Sequence, residues 1–290
     1  MSNSHSSSTA NHPPILVRKA SGEDEIFSVE KLERSLSNAG ASRETIRHIL
    51  ADIDLWVYQG VTTKMLYQKA FSLLKKLNVP SSIRYKLKMA IMELGPTGFP
   101  FERFIGQLMQ AQGFSTEVGI VVNGKCVTHE MDVIATKDSL QRLMECKYSR
   151  DQGKYVSVQV PLYVRSRVND IVQYRQNQPQ FQNHSFEGWV VTNTRFSNDS
   201  IQYGKCSGLH LLGWDYPIGH GLKEMIERLH IYPITVLSQL TMAEKQMLLD
   251  KDVVSCQELS EREKLLDDMG IQPRKKRAVL RELAELNSTR

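Results

Sequence analysis

The sequence predicts a multidomain chain of mixed α+β and α/β character. A hairpin with helices comes first, then a mixed sheet flanked by helices, then a small helical region. Three observations lead there. Hydrophobic residues make up 41% and charged residues 24% of 290, so each domain can bury a core. The stretch GPTGFP, residues 95–100, holds two glycines and two prolines and separates regions of different rhythm. Three S/T-x-x-E starts crowd between Thr241 and Glu263, as expected of short helices joined by tight turns.

Taken in order, residues 1–14 are Ser- and Asn-rich without periodicity and read as a disordered tail. In residues 15–95, two short strands flank a turn at Gly22, and four helices follow. Ser28, Ser42 and Thr63 are the expected caps of the first three, and the fourth runs from after Pro80 to Leu94. In residues 99–220 an amphipathic helix ends at Gly113. STEVGIVV and KCVTHEMDVIA then form a hairpin about an Asn123-Gly124 turn of the tight I′ type. A turn at Lys137-Asp138 leads to the strand LQRLMECKY, and residues 156–175 read as helix. The strand GWVVTNT, a helix near 197–206 and the strand LHLLGW complete the domain. Residues 221–290 are helical, with expected starts at Thr241, Ser255, Ser260 and Pro273.

Composition excludes several classes. No apolar run reaches the roughly 18 residues of a membrane span, so no membrane partner is expected. MSNSHSSSTANHPP lacks the basic and apolar regions of a secretory signal. The four cysteines form no CxxC pair, which argues against a zinc ribbon or a dense disulfide framework. A reduced, cytoplasmic protein is the expectation. The net charge of +5 is modest and no domain-sized segment is strongly basic, so DNA affinity would have to come from local clusters.

The chemistry gathers in the middle. Side chains two apart on a strand share a face, so Glu130 goes with Asp132 and Glu145 with Lys147. If the two strands pair, two or three carboxylates meet beside one lysine. Carboxylates so placed suit Mg²⁺, a hard cation, with the lysine favouring hydroxide or stabilising transition-state charge. Acid and base two apart on a strand also occur as a solvated face or a cross-strand ion pair. Against that, Val133, Ile134, Leu143 and Met144 predict buried strands, and charges aimed into a core are costly without a role.

On FERFIGQLMQAQGF, HEMDVIA, MECKYS and WVVTNTRFS…LHLLGWDYP, residues 99–220 resemble the Mrr-like branch of the PD-(D/E)xK restriction endonucleases. The resemblance implies Asp132 as the motif aspartate, Glu145 and Lys147 as the (D/E)xK pair, and Asp132 and Glu145 as metal ligands. It further implies Glu102 as the helix acid that supports the metal and Gln159 as a glutamine that orients the site. Met131 stands where the family often has proline. His129 reads as a packing or hydrogen-bonding residue, since the site is one of hard oxygens.

On VRKASGEDEIF, VEKLERSL, Gly60-Val-Thr-Thr63 and IRYKLKMAIMELG, residues 15–95 resemble the ATP-cone, a nucleotide-sensing domain. The resemblance implies ATP or dATP as effector, with Val17, Lys19, Glu25, Lys31 and Thr63 at the motif positions. Ala20 and Ser21 replace the family's second basic residue and its aspartate. Lys19 and Lys31 would face a triphosphate; the alternative is solvated surface charge.

The segment IYPITVLSQLTMAEKQMLLDKDVVSCQEL loosely resembles a helix-hairpin-helix module, although its Gly-rich hairpin is missing. Arg274, Lys275, Lys276 and Arg277 put four cations in a first helical turn, against the helix dipole. Either that helix start meets DNA phosphate, or the run is solvated and balanced by Asp267 and Asp268. The whole implies a Mg²⁺-dependent deoxyribonuclease of restriction type, under adenine-nucleotide control, in defence or repair. Its C-terminal region would contact DNA or mediate assembly, a homo-oligomer being possible. The alternative is a non-cleaving, nucleotide-responsive DNA-binding protein that uses the nuclease fold as a platform.

Overall fold

A computed structural model describes residues 14–19, 22–151 and 153–287. Ala20, Ser21 and all of the expected disordered tail but Pro14 lie outside the described residues. The chain divides into two compact units between Tyr85 and Lys86.

In the first unit, β1 (Leu16–Arg18) and β2 (Asp24–Ile26) pair antiparallel about Gly22, whose φ of +87° suits glycine. Helices α1 (Val29–Asn38), α2 (Arg43–Trp56) and α3 (Thr63–Leu77) follow, with the first half of α4 (Val79–Met92). Ser28 and Ser42 cap α1 and α2 as expected. The third cap is Thr62, whose hydroxyl accepts from Met65 N–H; the predicted cap, Thr63, is the first helical residue. Two threonines in succession leave the choice to the backbone, which is extended at Thr62 and helical one residue later. Leu36, Ile49, Ile53 and Leu74 are fully buried where α1, α2 and α3 meet. The loop before α3 is tied to the hairpin, for Arg18 N–H donates to Val61 C=O and Gly60 N–H to Leu16 C=O.

The division inside α4, ahead of GPTGFP, reflects what that helix's second half touches. Leu87, Ala90 and Ile91 are fully buried. Thr235 Oγ1 donates to the Ala90 carbonyl, and Lys245 Nζ lies 3.4 Å from Glu93 Oε2, so this half packs with the C-terminal helices.

The second unit is a mixed sheet flanked by helices. Pro100 opens α5 (Phe99–Gln110), whose apolar stripe packs on β3 (Ser115–Asn123) and β4 (Thr128–Lys137). Then come β5 (Leu140–Lys147), β6 (Tyr155–Val156), α6 (Gln159–Arg175), β7 (Ser185–Thr192), β8 (Arg195–Phe196), α7 (Asn198–Ser207) and β9 (His210–Leu212). The sheet order is β3-β4-β5-β7-β9, antiparallel as far as β5 and parallel beyond it. The parallel pairs need crossovers, which α6 and α7 supply. Leu143, Ile171 and Val190 are fully buried in the core beneath α6.

Asn123 and Gly124 do not form a two-residue turn. Asn123 pairs with Thr128 across a four-residue loop, and Gly124 lacks positive φ. Glycine is needed there for close approach: a Cβ would sit 2.1 Å from Asp170 Oδ2. That carboxylate, from α6, accepts from Cys126 N–H, Val127 N–H and His129 Nε2, giving His129 the hydrogen-bonding role expected of it.

The C-terminal region is helical: α8 (Leu222–Leu229), α9 (Met242–Leu249), α10 (Cys256–Glu261), α11 (Lys264–Asp268) and α12 (Pro273–Asn287). Thr241/Glu244 and Ser255/Glu258 close true capping boxes. Ser260/Glu263 does not, because Ser260 lies inside α10 with its hydroxyl bonded back to the Cys256 carbonyl. Buried Glu282 binds Ser238 and Gln239 N–H, docking α12 on the loop before α9. Among the described residues no helix is long and apolar enough to cross a membrane.

Candidate active site

The β4–β5 ladder runs from Lys137↔Leu140 to Val133↔Met144 and stops there. Asp132 is the first residue past the break, and its Oδ2 accepts from Cys146 N–H at 2.6 Å. A side chain thus replaces the missing ladder bond and pins the Asp132 carboxylate between the diverging strands. Burial and the Glu145 charge push its pKa up to about 6.

Glu145 is only 4% exposed. Three donors share its two oxygens: Lys147 Nζ at 2.6 Å and Tyr163 hydroxyl at 2.7 Å on Oε1, and Arg167 Nη1 at 2.6 Å on Oε2. Arg167 also donates to the Glu130 carbonyl. The Lys147 and Arg167 cations both lie within 6 Å of the Tyr163 ring centre, at 5.6 and 5.9 Å. Burial opposes its charge, but hydrogen bonds to Glu145 and Tyr163 together with the Glu145 charge raise the Lys147 pKa, so it stays an ammonium.

Glu102, in the first turn of α5, has its pKa pushed up to about 7 by burial and by the charges of Asp132, Glu130 and Glu145. Gly98 leaves it room, since a Cβ there would lie 3.0 Å from Glu102 Oε1. Helix α5 and strands β4 and β5 therefore bring Glu102, Asp132, Glu145 and Lys147 together. Exposed Gln159 opens α6, without a bond to the others. Tyr163 and Arg167, absent from the sequence-derived set, follow Gln159 at four and eight residues on one helical face. That spacing was the available signal.

Among the described residues no three His, Cys, Asp or Glu side chains are gathered closely enough to hold an ion unaided. Mg²⁺ is commonly held by one or two carboxylates and several waters. The hard-oxygen set fits that chemistry, and the pKa values of Asp132 and Glu102, raised first by burial and then by the neighbouring carboxylates, mark negative charge that a cation would offset.

In the first unit, Val17, Glu25, Lys31 and Thr63 line one cavity of about 220 Å³, with Tyr67 and Tyr85 stacked at 4.7 Å beside it. Lys19 joins through Glu25, whose carboxylate pairs with both Lys19, at 3.0 Å, and Lys31. Hydrogen bonds from the two lysines hold the Glu25 pKa below its usual range.

Comparison with known proteins places this fold. Residues 232–287 match the family model AF1548-like, C-terminal. A crystal structure titled as a protein of unknown function, AF1548, superposes with a TM-score of 0.54 at 26% identity, covering 67% of this chain and 100% of that one. An uncharacterized protein of Archaeoglobus fulgidus is 30% identical over 179 residues, 61% of this chain and 97% of that protein. The chain belongs to the AF1548-like family.

The AF1548-like C-terminal segment contains the basic turn of α12. That turn is not four free cations. Lys275 Nζ lies 2.6 Å from Glu244 Oε1, joining α12 to the cap of α9, and Lys276 Nζ lies 2.6 Å from Asp267. Arg274 and Arg277 are exposed. Acids from neighbouring helices thus take up half of the run: Asp267, which the sequence had offered as a balancing acid, and Glu244, which it had not.

Proposed function

We propose that the second unit is a Mg²⁺-dependent endonuclease that hydrolyses DNA phosphodiester bonds, serving restriction, defence or repair. The observation that carries this reading is the grouping of Asp132, Glu102 and Glu145 around a break between strands, with Lys147 held as a cation beside them. Asp132 and Glu145 would hold the metal, with Glu102 in support. Bound there, Mg²⁺ supplies charge neutralisation at the phosphate and a more acidic water.

The chain's own residues do the rest. Because Lys147 stays protonated, it acts as a charge beside the attacking water or a phosphoryl oxygen, not as a neutral base. Arg167 and Tyr163 orient Glu145 and offset its burial. Exposed Gln159 and the Arg274 and Arg277 guanidinium groups offer contacts to the strand and its phosphates.

The first unit is a nucleotide sensor in this reading. Its support is the shared cavity of Val17, Glu25, Lys31 and Thr63. ATP or dATP must bind one functional state better than another to control cleavage. Plasmid DNA incubated with Mg²⁺ or Mn²⁺, with and without ATP or dATP, tests both parts, alongside calorimetry of the two nucleotides. Nicking or linearisation that depends on metal and responds to nucleotide is expected. No cleavage across varied substrates would favour a non-cleaving binding platform, and no nucleotide binding at millimolar concentration would remove the sensor.

A further inference from the structure

We propose that the cavity at the outer edge of β9 binds a nucleoside phosphate, a planar base carrying a phosphate anion. Its volume is about 360 Å³, within the span of roughly 300–1,000 Å³ common for small-ligand sites. Glu145 pairs with Val190 across β5 and β7 and shares its sheet face, so Trp189, next to Val190, points to the opposite face. The cavity's aromatic wall is therefore separate from the carboxylate site.

That wall is built. Trp189 and His210 pair in register across β7 and β9, and their rings stack at 4.7 Å and 13°. Trp189 is fixed by its indole N–H donating to Glu187 and by the Arg142 guanidinium 4.8 Å from its ring centre. Tyr216 also lines the cavity, and Leu212 and Met225 add apolar lining.

The rim is cationic. Exposed Lys205 and Arg228 supply the charge, His220 lines the rim beside them, and among the described residues no Asp or Glu lines it. Neither Lys205 nor Arg228 makes an ion pair among the described residues. Their positions in the last turns of α7 and α8 suit the helix dipoles. That does not account for their meeting beside a stacked aromatic wall.

The two features select the ligand together. An inorganic anion would leave the rings unused, and an apolar ligand would leave the cations unmatched. A base stacks on such a wall whatever its sequence identity, and a phosphate suits Lys and Arg. The ligand's source is either a free nucleotide or one unit of a nucleic-acid strand.

The test uses the full chain and calorimetry with the four nucleoside 5′-monophosphates, inorganic phosphate and a 5′-phosphorylated tetranucleotide. All arms carry Lys19→Ala/Lys31→Ala, which silences the proposed nucleotide cavity of the first unit; that background is compared with the same background plus His210→Ala and plus Lys205→Ala/Arg228→Ala. Monophosphate affinity should fall about tenfold or more in these two variants relative to the background, with inorganic phosphate at least about tenfold weaker than nucleotide in the background. Tighter binding of the tetranucleotide would assign the ligand to a strand; tighter binding of a monophosphate would assign it to free nucleotide. Undiminished affinity in both β9-cavity variants, at the melting temperature of the background, overturns the proposal. So does the absence of binding by every probe at millimolar concentration. Plasmid cleavage is scored separately, so a failure of the nuclease reading leaves this result intact.

Discussion

Arg167 Nη1 meets Glu145 Oε2 at 2.6 Å, tying the middle of α6 to a carboxylate near the end of β5 that is 4% exposed. The pair makes the candidate site depend on the packing of a crossover helix. Arg167→Met should remove one charged donor from a buried acid and destabilise the protein by about 1–3 kcal/mol. With Glu145→Gln already present, the same change should cost less, because no buried charge is then left behind. Thermal or urea unfolding of the two single variants and the double variant checks this. Strictly additive losses would disprove the coupling.

Asp132→Ala and Lys147→Met separate catalysis from scaffolding. Asp132→Ala removes a proposed metal ligand and should abolish cleavage and weaken Mg²⁺ binding. Lys147→Met keeps most of the aliphatic stem and deletes the ammonium; cleavage should collapse by about 10²-fold or more while DNA binding survives. Near-normal cleavage by Lys147→Met would reduce that residue to a structural partner of Glu145, visible as a lower melting temperature.

The basic turn of α12 should split under mutation. Arg274→Ser/Arg277→Ser should flatten the salt dependence of DNA affinity by about one to two phosphate contacts, leaving stability unchanged. Lys275→Ser should instead lower the melting temperature, since it breaks the pair with Glu244 at the cap of α9. Equal effects of both changes on the salt slope would return all four cations to the DNA interface.

Lys86 predicts a pH effect on stability. Burial, and then the neighbouring Lys245 charge, lower its pKa from 10.5 to about 8. The folded state therefore releases this proton before the unfolded state does. Its contribution is present above pH 10.5 and is lost as pH falls through about 8. Lys86→Met should raise the melting temperature at pH 7, and its advantage over wild type should shrink between pH 8 and 10. A difference independent of pH would show that the amine is not the cause.

Much of this molecule was legible in its sequence for local reasons. Alternation marked the strands, hydroxyl and glycine punctuation marked most helix ends, and Glu130, Asp132, Glu145 and Lys147 stood out because period-two geometry sets their faces. What failed were contests between near-equal local choices. Thr62 won the cap over Thr63, Asn123-Gly124 opened into a longer loop under Asp170, and Ser260 fell inside a helix.

Only the tertiary structure decided the rest. Tyr163 and Arg167 reach Glu145 because α6 crosses over the sheet, a meeting across 18 and 22 residues that no local pattern encodes. Glu244 on another helix neutralises Lys275, and strand order alone puts Trp189 beside His210. The physical reason is one of range. Backbone preference and periodicity act over a few residues. Burial, charge pairing and cavity formation depend on which distant segments the fold brings into contact.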